Sequence, residues 1–279
     1  MKMVDQIKIA LAQIGCAVGN KARNMRTMVT YIAEARKQKA DLILFPELAL
    51  TGYVTKDRTY ELAETIPGPT TEKMERLAKE NHLHIVFGMI EKIPEAEGVI
   101  HNSAVLVSPK GLVGRYRKMY LPTHSVFEEK RYFRQGYETP VFDTPIGRIG
   151  MIICYDIFFP ETTRLLRVKG AELIACISAS PSVRRNYFEI LTAARALENT
   201  VYVAYANLVG IEDGLQFWGG SRVIAPNGRV LAQAKCDEED FILSSVDYTD
   251  IPRTQTFVPT LRDLRPELFT ELGDLSKKL

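Results

Sequence analysis

A four-layer α-β-β-α sandwich, an α/β fold built from two similar halves, is what this sequence predicts. Three observations lead there. Apolar β-rich runs alternate with amphipathic helical stretches, the order of those runs repeats once along the chain, and one copy alone would leave a face of its sheet bare. Strands that are apolar on both faces need cover on both, so two such sheets pack face to face with helices outside.

Each half reads strand, helix, strand, helix, strand, then hairpin. The first half opens with IKIALAQ, a helix over 21–38, LILFP, a helix over 71–81 and HIVFGMI, and closes with the hairpin of SAVLV and LVGRYRK. In the second half RIGMIIC is followed by a helix over 158–169, LIACIS, a helix over 184–198, VYVAYA and the hairpin of SRVIA and RVLAQA. A last strand, FILSSV, precedes a partly helical tail. The repeat extends to segments: KADLILFPE at 39–47 resembles GAELIACIS at 170–178, and RLAKENHLHIVFG at 76–88 echoes RALENTVYVAYA at 195–206. Both hairpin turns, VSPKGLV at 107–113 and IAPNGRV at 224–230, carry Pro-x-Gly. The offset between paired segments varies, so the halves differ by insertions.

Composition excludes several function classes. Of 279 residues, 46% are hydrophobic and 25% charged, the balance of a globular enzyme. The net charge of +2, from 36 basic and 34 acidic residues, supplies no general field for nucleic acid. No run approaches the roughly 20 apolar residues of a membrane span, and Asp5 and Lys8 interrupt the N-terminal apolar stretch, so neither a membrane nor a secretory signal is expected. Cys16, Cys154, Cys176 and Cys236 have no CxxC spacing and read as reduced thiols of a cytoplasmic protein. No phosphate-binding glycine loop follows a strand, and the histidines lack partners at ligand spacing, so no nucleotide cofactor and no metal is expected.

Open α/β sheets carry reactive groups just past the carboxyl ends of their strands. Three such ends offer a carboxylate, an ammonium and a thiol: Glu47 after DLILFP, Lys118 after LVGRYR, and Cys154 at the end of RIGMIIC. The trio suits nucleophilic attack on a carbonyl. A helix start and a nearby Lys⁺ favour thiolate, a carboxylate takes the thiol proton and later activates water, and Lys118 with a backbone N–H after Cys154 holds the oxyanion. Taken singly, each has a structural reading: Cys154 as core, Glu47 as a solvated loop residue, Lys118 as an exposed strand end. Their joint occurrence at the strand ends of a duplicated sheet favours chemistry. The other cysteines read as core (Cys16, Cys176) and turn (Cys236). His124, in LPTHSVF, is the alternative partner for a papain-like Cys–His pair.

At these residues the chain resembles the nitrilase superfamily of carbon–nitrogen hydrolases, from IKIALAQIG to about residue 247. FPELALTGY resembles its Glu segment, YRKMYLPTHSVFEEKRYFRQG its Lys segment and GRIGMIICYDIFFPE its nucleophile segment. RALENTVYVAYAN and GGSRVIAPNGRVLAQA resemble the supporting helix–strand and the late hairpin. The resemblance implies Glu47 as general base, Lys118 as oxyanion stabiliser and Cys154 as nucleophile. It adds Glu129, in a pattern like F-x-E-x-x-Y-F over Phe127, Tyr132 and Phe133, as the second glutamate that orients Lys118 and the substrate amide. Tyr53, Tyr155, Phe158 and Ser178 are expected to bind substrate. The implied partners are a small-molecule substrate and further copies of the chain, as a homodimer or higher homo-oligomer joined through the helices after the nucleophile, with the 1–247 hydrolase domain followed by a 248–279 tail that packs on a partner subunit.

Two departures stand out. Members acting on small acidic amides often read C-Y-D-x-R-F-P-E, and here Phe158 takes the arginine's place; Tyr120 takes a place often held by histidine. The expected reaction is thiol-dependent hydrolysis of a small or medium neutral amide through a thioester. An acidic substrate would need an arginine from elsewhere, Arg164, Arg184 or Arg185. The competing readings are an N-carbamoyl hydrolase or nitrilase with the same machinery, a glutaminase module, and a non-catalytic binding scaffold.

Overall fold

The computed structural model describes residues 4–278. The first half comprises β1 (Gln6–Gln13), α1 (Lys21–Lys37), β2 (Leu42–Leu44), α2 (Thr59–Leu62), α3 (Pro69–Asn81), β3 (His84–Lys92), β4 (Ile100–Ser108) and β5 (Gly111–Arg117). A short helix α4 (Glu129–Tyr132) leads into the second half: β6 (Val141–Thr144), β7 (Gly147–Ile153), α5 (Pro160–Val168), β8 (Leu173–Ser178), α6 (Arg185–Asn199) and β9 (Tyr202–Asn207). Then come β10 (Val209–Glu212), β11 (Leu215–Trp218), β12 (Arg222–Ile224), β13 (Val230–Gln233), β14 (Asp240–Asp247), α7 (Asp250–Phe257) and α8 (Pro266–Ser276).

The strands form two six-stranded sheets, ordered β14-β1-β2-β3-β4-β5 and β13-β12-β9-β8-β7-β6, plus the small β10-β11 hairpin. The duplication is visible in the ladders: β1, β2 and β3 are parallel neighbours, as are β7, β8 and β9. Each trio is flanked by an antiparallel edge strand, β14 beside β1 and β6 beside β7.

Alternating strand side chains place the core. Ile9, Leu11, Leu42, Leu44 and Val86 share one buried cluster with Ile149, Ile153, Leu173 and Ala204 of the second sheet. Their sequence neighbours Ala10, Ala12, Ile43, Phe45, Ile85 and Phe87 share another with Met28 and Ile32 of α1 and Met74 and Ala78 of α3. The two-residue period sends one set to the facing sheet and the other to the helices. Leu166 of α5 and Phe188 and Ala196 of α6 cover the second sheet. The helix ends follow from the sequence: Asn20 Oδ1 accepts from the Arg23 N–H at the start of α1, and Pro69 and Pro160 begin α3 and α5.

Several expectations need adjustment. The helix placed at 158–169 begins at Pro160, because Cys154–Phe158 forms a tight 3₁₀ turn first. The four-residue strands β6, β10 and β11 were not expected from the sequence. No break in packing marks residue 247: Tyr248 and Ile251 are buried, and Tyr202 donates from its hydroxyl to Asp250. Beyond Pro259 no described residue is buried. Among the described residues no helix is long and apolar enough to cross a membrane.

Candidate active site

Glu47 sits in a turn just beyond β2, where Leu48 adopts a left-handed φ of 51°. That turn lies directly on β3: a Cβ at Gly88 would come within 2.3 Å of the Leu48 nitrogen and 2.8 Å of the Pro46 oxygen. The Glu47 carboxylate is fully buried. Its Oε1 accepts from Asn102 Nδ2 at 2.6 Å and Lys118 Nζ at 2.7 Å, and its Oε2 accepts from the Ala179 N–H at 2.8 Å. Three donors on a group with about four lone-pair sites leave room for one more proton.

Lys118 follows β5 and is pinned through its backbone: its N–H donates to the Asn102 carbonyl at 2.9 Å, and its carbonyl accepts from the Gly136 N–H at 2.8 Å. Its ammonium also donates to Glu129 Oε1 at 2.6 Å. Burial opposes the charge, but Glu129 and Glu47 outweigh it and raise the Lys118 pKa, so the group stays an ammonium. The Tyr53 hydroxyl donates to the same Glu129 oxygen at 2.7 Å, while Glu129 Oε2 is buried with no hydrogen-bond partner among the described residues. Burial, helped by the Glu47 charge and opposed by Lys118, pushes the Glu129 carboxyl up to about 7.

Cys154 follows β7 with a left-handed φ of 48°, a conformation that costs a non-glycine residue about 1–3 kcal/mol and persists where the surroundings enforce it. Asp156 enforces it. Its Oδ2 accepts from the Ile153 N–H at 2.9 Å and the Tyr116 hydroxyl at 2.8 Å, and its Oδ1 from the Tyr120 N–H at 2.9 Å. One buried carboxylate thus ties the Cys154 turn to residues on either side of Lys118. Tyr120, uninterpreted in the sequence, supplies that N–H and stacks on Phe159 at 3.5 Å.

The thiolate expected from the helix start and Lys118 meets an opposing effect of burial. Burial and then the Glu47 charge raise the Cys154 pKa well above its ordinary value, and the pull of Lys118 and the Ser178 hydroxyl does not offset them. Burial therefore favours the neutral form of the Cys154 thiol.

The other expected substrate residues separate. Tyr155 and Phe158 line a cavity of about 150 Å³ that contains Cys154, together with His124, Arg184 and Phe188. Ser178 is buried near the thiol; its hydroxyl favours the Cys154 thiolate but closes no hydrogen bond of good geometry among the described residues. Tyr53 does not border that cavity; with Glu129 it lines a second one of about 310 Å³. His124 packs against the rings of Phe127 and Tyr155 and makes no hydrogen bond to Cys154, so no Cys–His pair forms. Cys176 is core, Cys16 donates to the Ala49 carbonyl at 3.3 Å, and Cys236 forms an isolated bridge with Gly219.

Sequence reasoning missed Asn102, Asp156 and Glu212. The last, on β10, accepts from the Tyr53 and Val54 N–H groups at 2.8 and 2.9 Å and so holds the loop that presents Tyr53.

The sequence model of a family described as carbon–nitrogen hydrolase matches residues 8–255. A nitrilase of Pyrococcus abyssi is 37% identical over 245 residues, covering 86% of this chain and 90% of its own. An ω-amidase of Mus musculus is 31% identical over 278 residues, covering 96% of this chain and 98% of its own. Among solved structures, a glutamate-to-glutamine mutant of the amidase from Nesterenkonia sp. AN1 carries the acetamide moiety of fluoroacetamide covalently on its active-site cysteine. It superposes with a TM-score of 0.83 at 27% identity, over 95% of this chain and 96% of its own.

Proposed function

Since this chain belongs to the carbon–nitrogen hydrolase family, we propose that it hydrolyses a small or medium amide by way of a thioester on Cys154. One observation carries the choice of amide: the buried Glu129 Oε2 has no partner. A buried acceptor without a donor is costly, and an amide N–H supplies the donor, whereas a nitrile nitrogen is itself only an acceptor.

Roles follow from the donors and acceptors. The amide carbonyl oxygen faces the Lys118 ammonium and its N–H faces Glu129. Glu47 takes the thiol proton as sulfur bonds to the carbonyl carbon, and the charge that collects on oxygen is met by Lys118 and the Tyr155 backbone N–H. Glu47 returns the proton to nitrogen, the C–N bond breaks, and ammonia or an amine leaves a thioester. Glu47 then takes a proton from water, hydroxide adds to the thioester, and the acid and free thiol are restored. The cysteine adduct of the Nesterenkonia amidase supports the nucleophile in this scheme.

The test is product release from a panel of amides, nitriles and N-carbamoyl compounds, with intact-mass detection of a covalent acyl-enzyme. Amides should lead the panel in kcat/KM, and Cys154→Ala should lose several orders of magnitude while keeping its melting temperature within a few degrees. Turnover within tenfold of wild type in folded Cys154→Ala would eliminate the mechanism.

For assembly, we propose a homodimer joined through α5 and α6. Leu165, Val168, Tyr187 and Ile190 of those helices are 45–60% exposed, more apolar surface than a solvated helix pair normally shows.

A further inference from the structure

We propose that Arg184 anchors an anionic end on the substrate's acyl chain, so that the preferred substrates are short amides ending in a carboxylate. The inference rests on the amidase reading and names the substrate class within it. It replaces the neutral preference expected from Phe158.

Of the three arginines that could reach inward, the structure selects one. Arg185 pairs with Glu189 at 3.0 Å and lies over the Trp218 ring, and Arg164 is not in the wall of the Cys154 cavity. Arg184, in the 3₁₀ turn Ser182–Arg184 that precedes α6, is in that wall. It is half-buried, makes no salt bridge and no side-chain hydrogen bond among the described residues, and has only the face of the Tyr187 ring beside it, at 5.6 Å. A guanidinium in the wall of a confined cavity, with its donors unused, is a ready receptor for a planar carboxylate, which it binds through two parallel N–H···O bonds.

The rest of the wall fixes the ligand's remaining features. Tyr155, Phe158 and Phe188 form an aromatic surface suited to methylenes, and Phe158 packs edge-on against Phe188 and Tyr187 at 5.6 and 6.1 Å. A cavity of about 150 Å³ holds a group about the size of benzene. Those limits describe a short methylene chain with the amide at Cys154 and a carboxylate at Arg184. At the amide end the Lys118–Glu47–Glu129 cluster has its single cation already shared between two carboxylates, so it does not compete for the substrate's negative charge.

The experiment pairs each carboxylate-ended primary amide with its methyl ester of the same chain length. It compares wild type, Arg184→Met, Arg184→Lys and, as a control, Arg185→Met, all checked for folding by thermal melting. Wild type should favour the acidic member in kcat/KM, chiefly through KM. Arg184→Met should shrink that ratio by about tenfold or more, the scale of a charge-assisted bidentate contact. Arg184→Lys should recover part of it, and Arg185→Met should leave the ratio in place. A second readout does not need turnover: calorimetric binding of glutarate should weaken by about tenfold or more in Arg184→Met. A wild-type preference for the ester, or a ratio and glutarate affinity unchanged in folded Arg184→Met, would overturn the assignment. If glutarate binding depends on Arg184 while no amide is turned over, the amidase reading fails and the anion site stands.

Discussion

Glu129 is the group in the site whose charge changes nearest neutrality. With its carboxyl pushed up to about 7 from an ordinary 4.5, it is a hydrogen-bond acceptor only above that pH and becomes an O–H donor below it. We predict that kcat/KM falls as pH drops through about 7, and that Glu129→Gln lowers the plateau and removes this limb. Stability should move the other way. Folding raises this pKa and so favours the protonated form; the stability it lends is fully present below about 4.5 and is lost as pH rises through about 7. Melting temperature should therefore decline relative to Glu129→Gln over the interval in which activity rises. A wild-type rate profile that is flat across pH 6–8, or a limb that persists in Glu129→Gln, would assign the titration to another group.

The tight turn after β7 and the end of β5 behave as one element because Asp156 joins them. Asp156→Asn keeps the shape but puts an NH₂ group where a carboxylate oxygen now accepts, leaving at least one buried donor without a partner at a cost of about 1–3 kcal/mol. The expected result is a melting temperature lower by a few degrees and a kcat reduced more than KM is changed, because Cys154 and Lys118 lose their common support. A drop in melting temperature with kcat intact would make Asp156 structural only. This is also where legibility in the sequence stopped. Strand alternation and helical period located most of the strands and long helices, and with them the strand ends that carry Glu47, Lys118 and Cys154. The four-residue strands β6, β10 and β11 are too short to show a period. The supports are beyond any local pattern: Asn102 reaches Glu47 across 55 positions, Asp156 reaches Tyr120 across 36 and Glu212 reaches Tyr53 across 159. Nor does period say which of three nearby arginines turns toward a cavity.

For the whole molecule the first consequence is assembly. If α5 and α6 join two copies, Leu165→Asp with Ile190→Asp should halve the mass seen by light scattering, since charge in a closed apolar contact has no partner. An unchanged mass would place the interface elsewhere. α8 carries a similar stripe, Leu268, Phe269, Leu272 and Leu275, all 46–55% exposed, and cutting the chain after Val258 should weaken the same association. A second consequence lies in time. β1 leaves the ribosome well before its antiparallel neighbour β14, which spans Asp240–Asp247. At about 5–20 residues per second, the interval between them is on the order of ten seconds or more. Throughout it, one flank of the first sheet presents bare backbone donors and acceptors to any passing strand. The matching edge of the second sheet closes at once, because β6 is made immediately before β7. Two sheets alike in space thus differ in their exposure to misassembly, and nascent-chain chaperones are needed most by the half that is synthesised first.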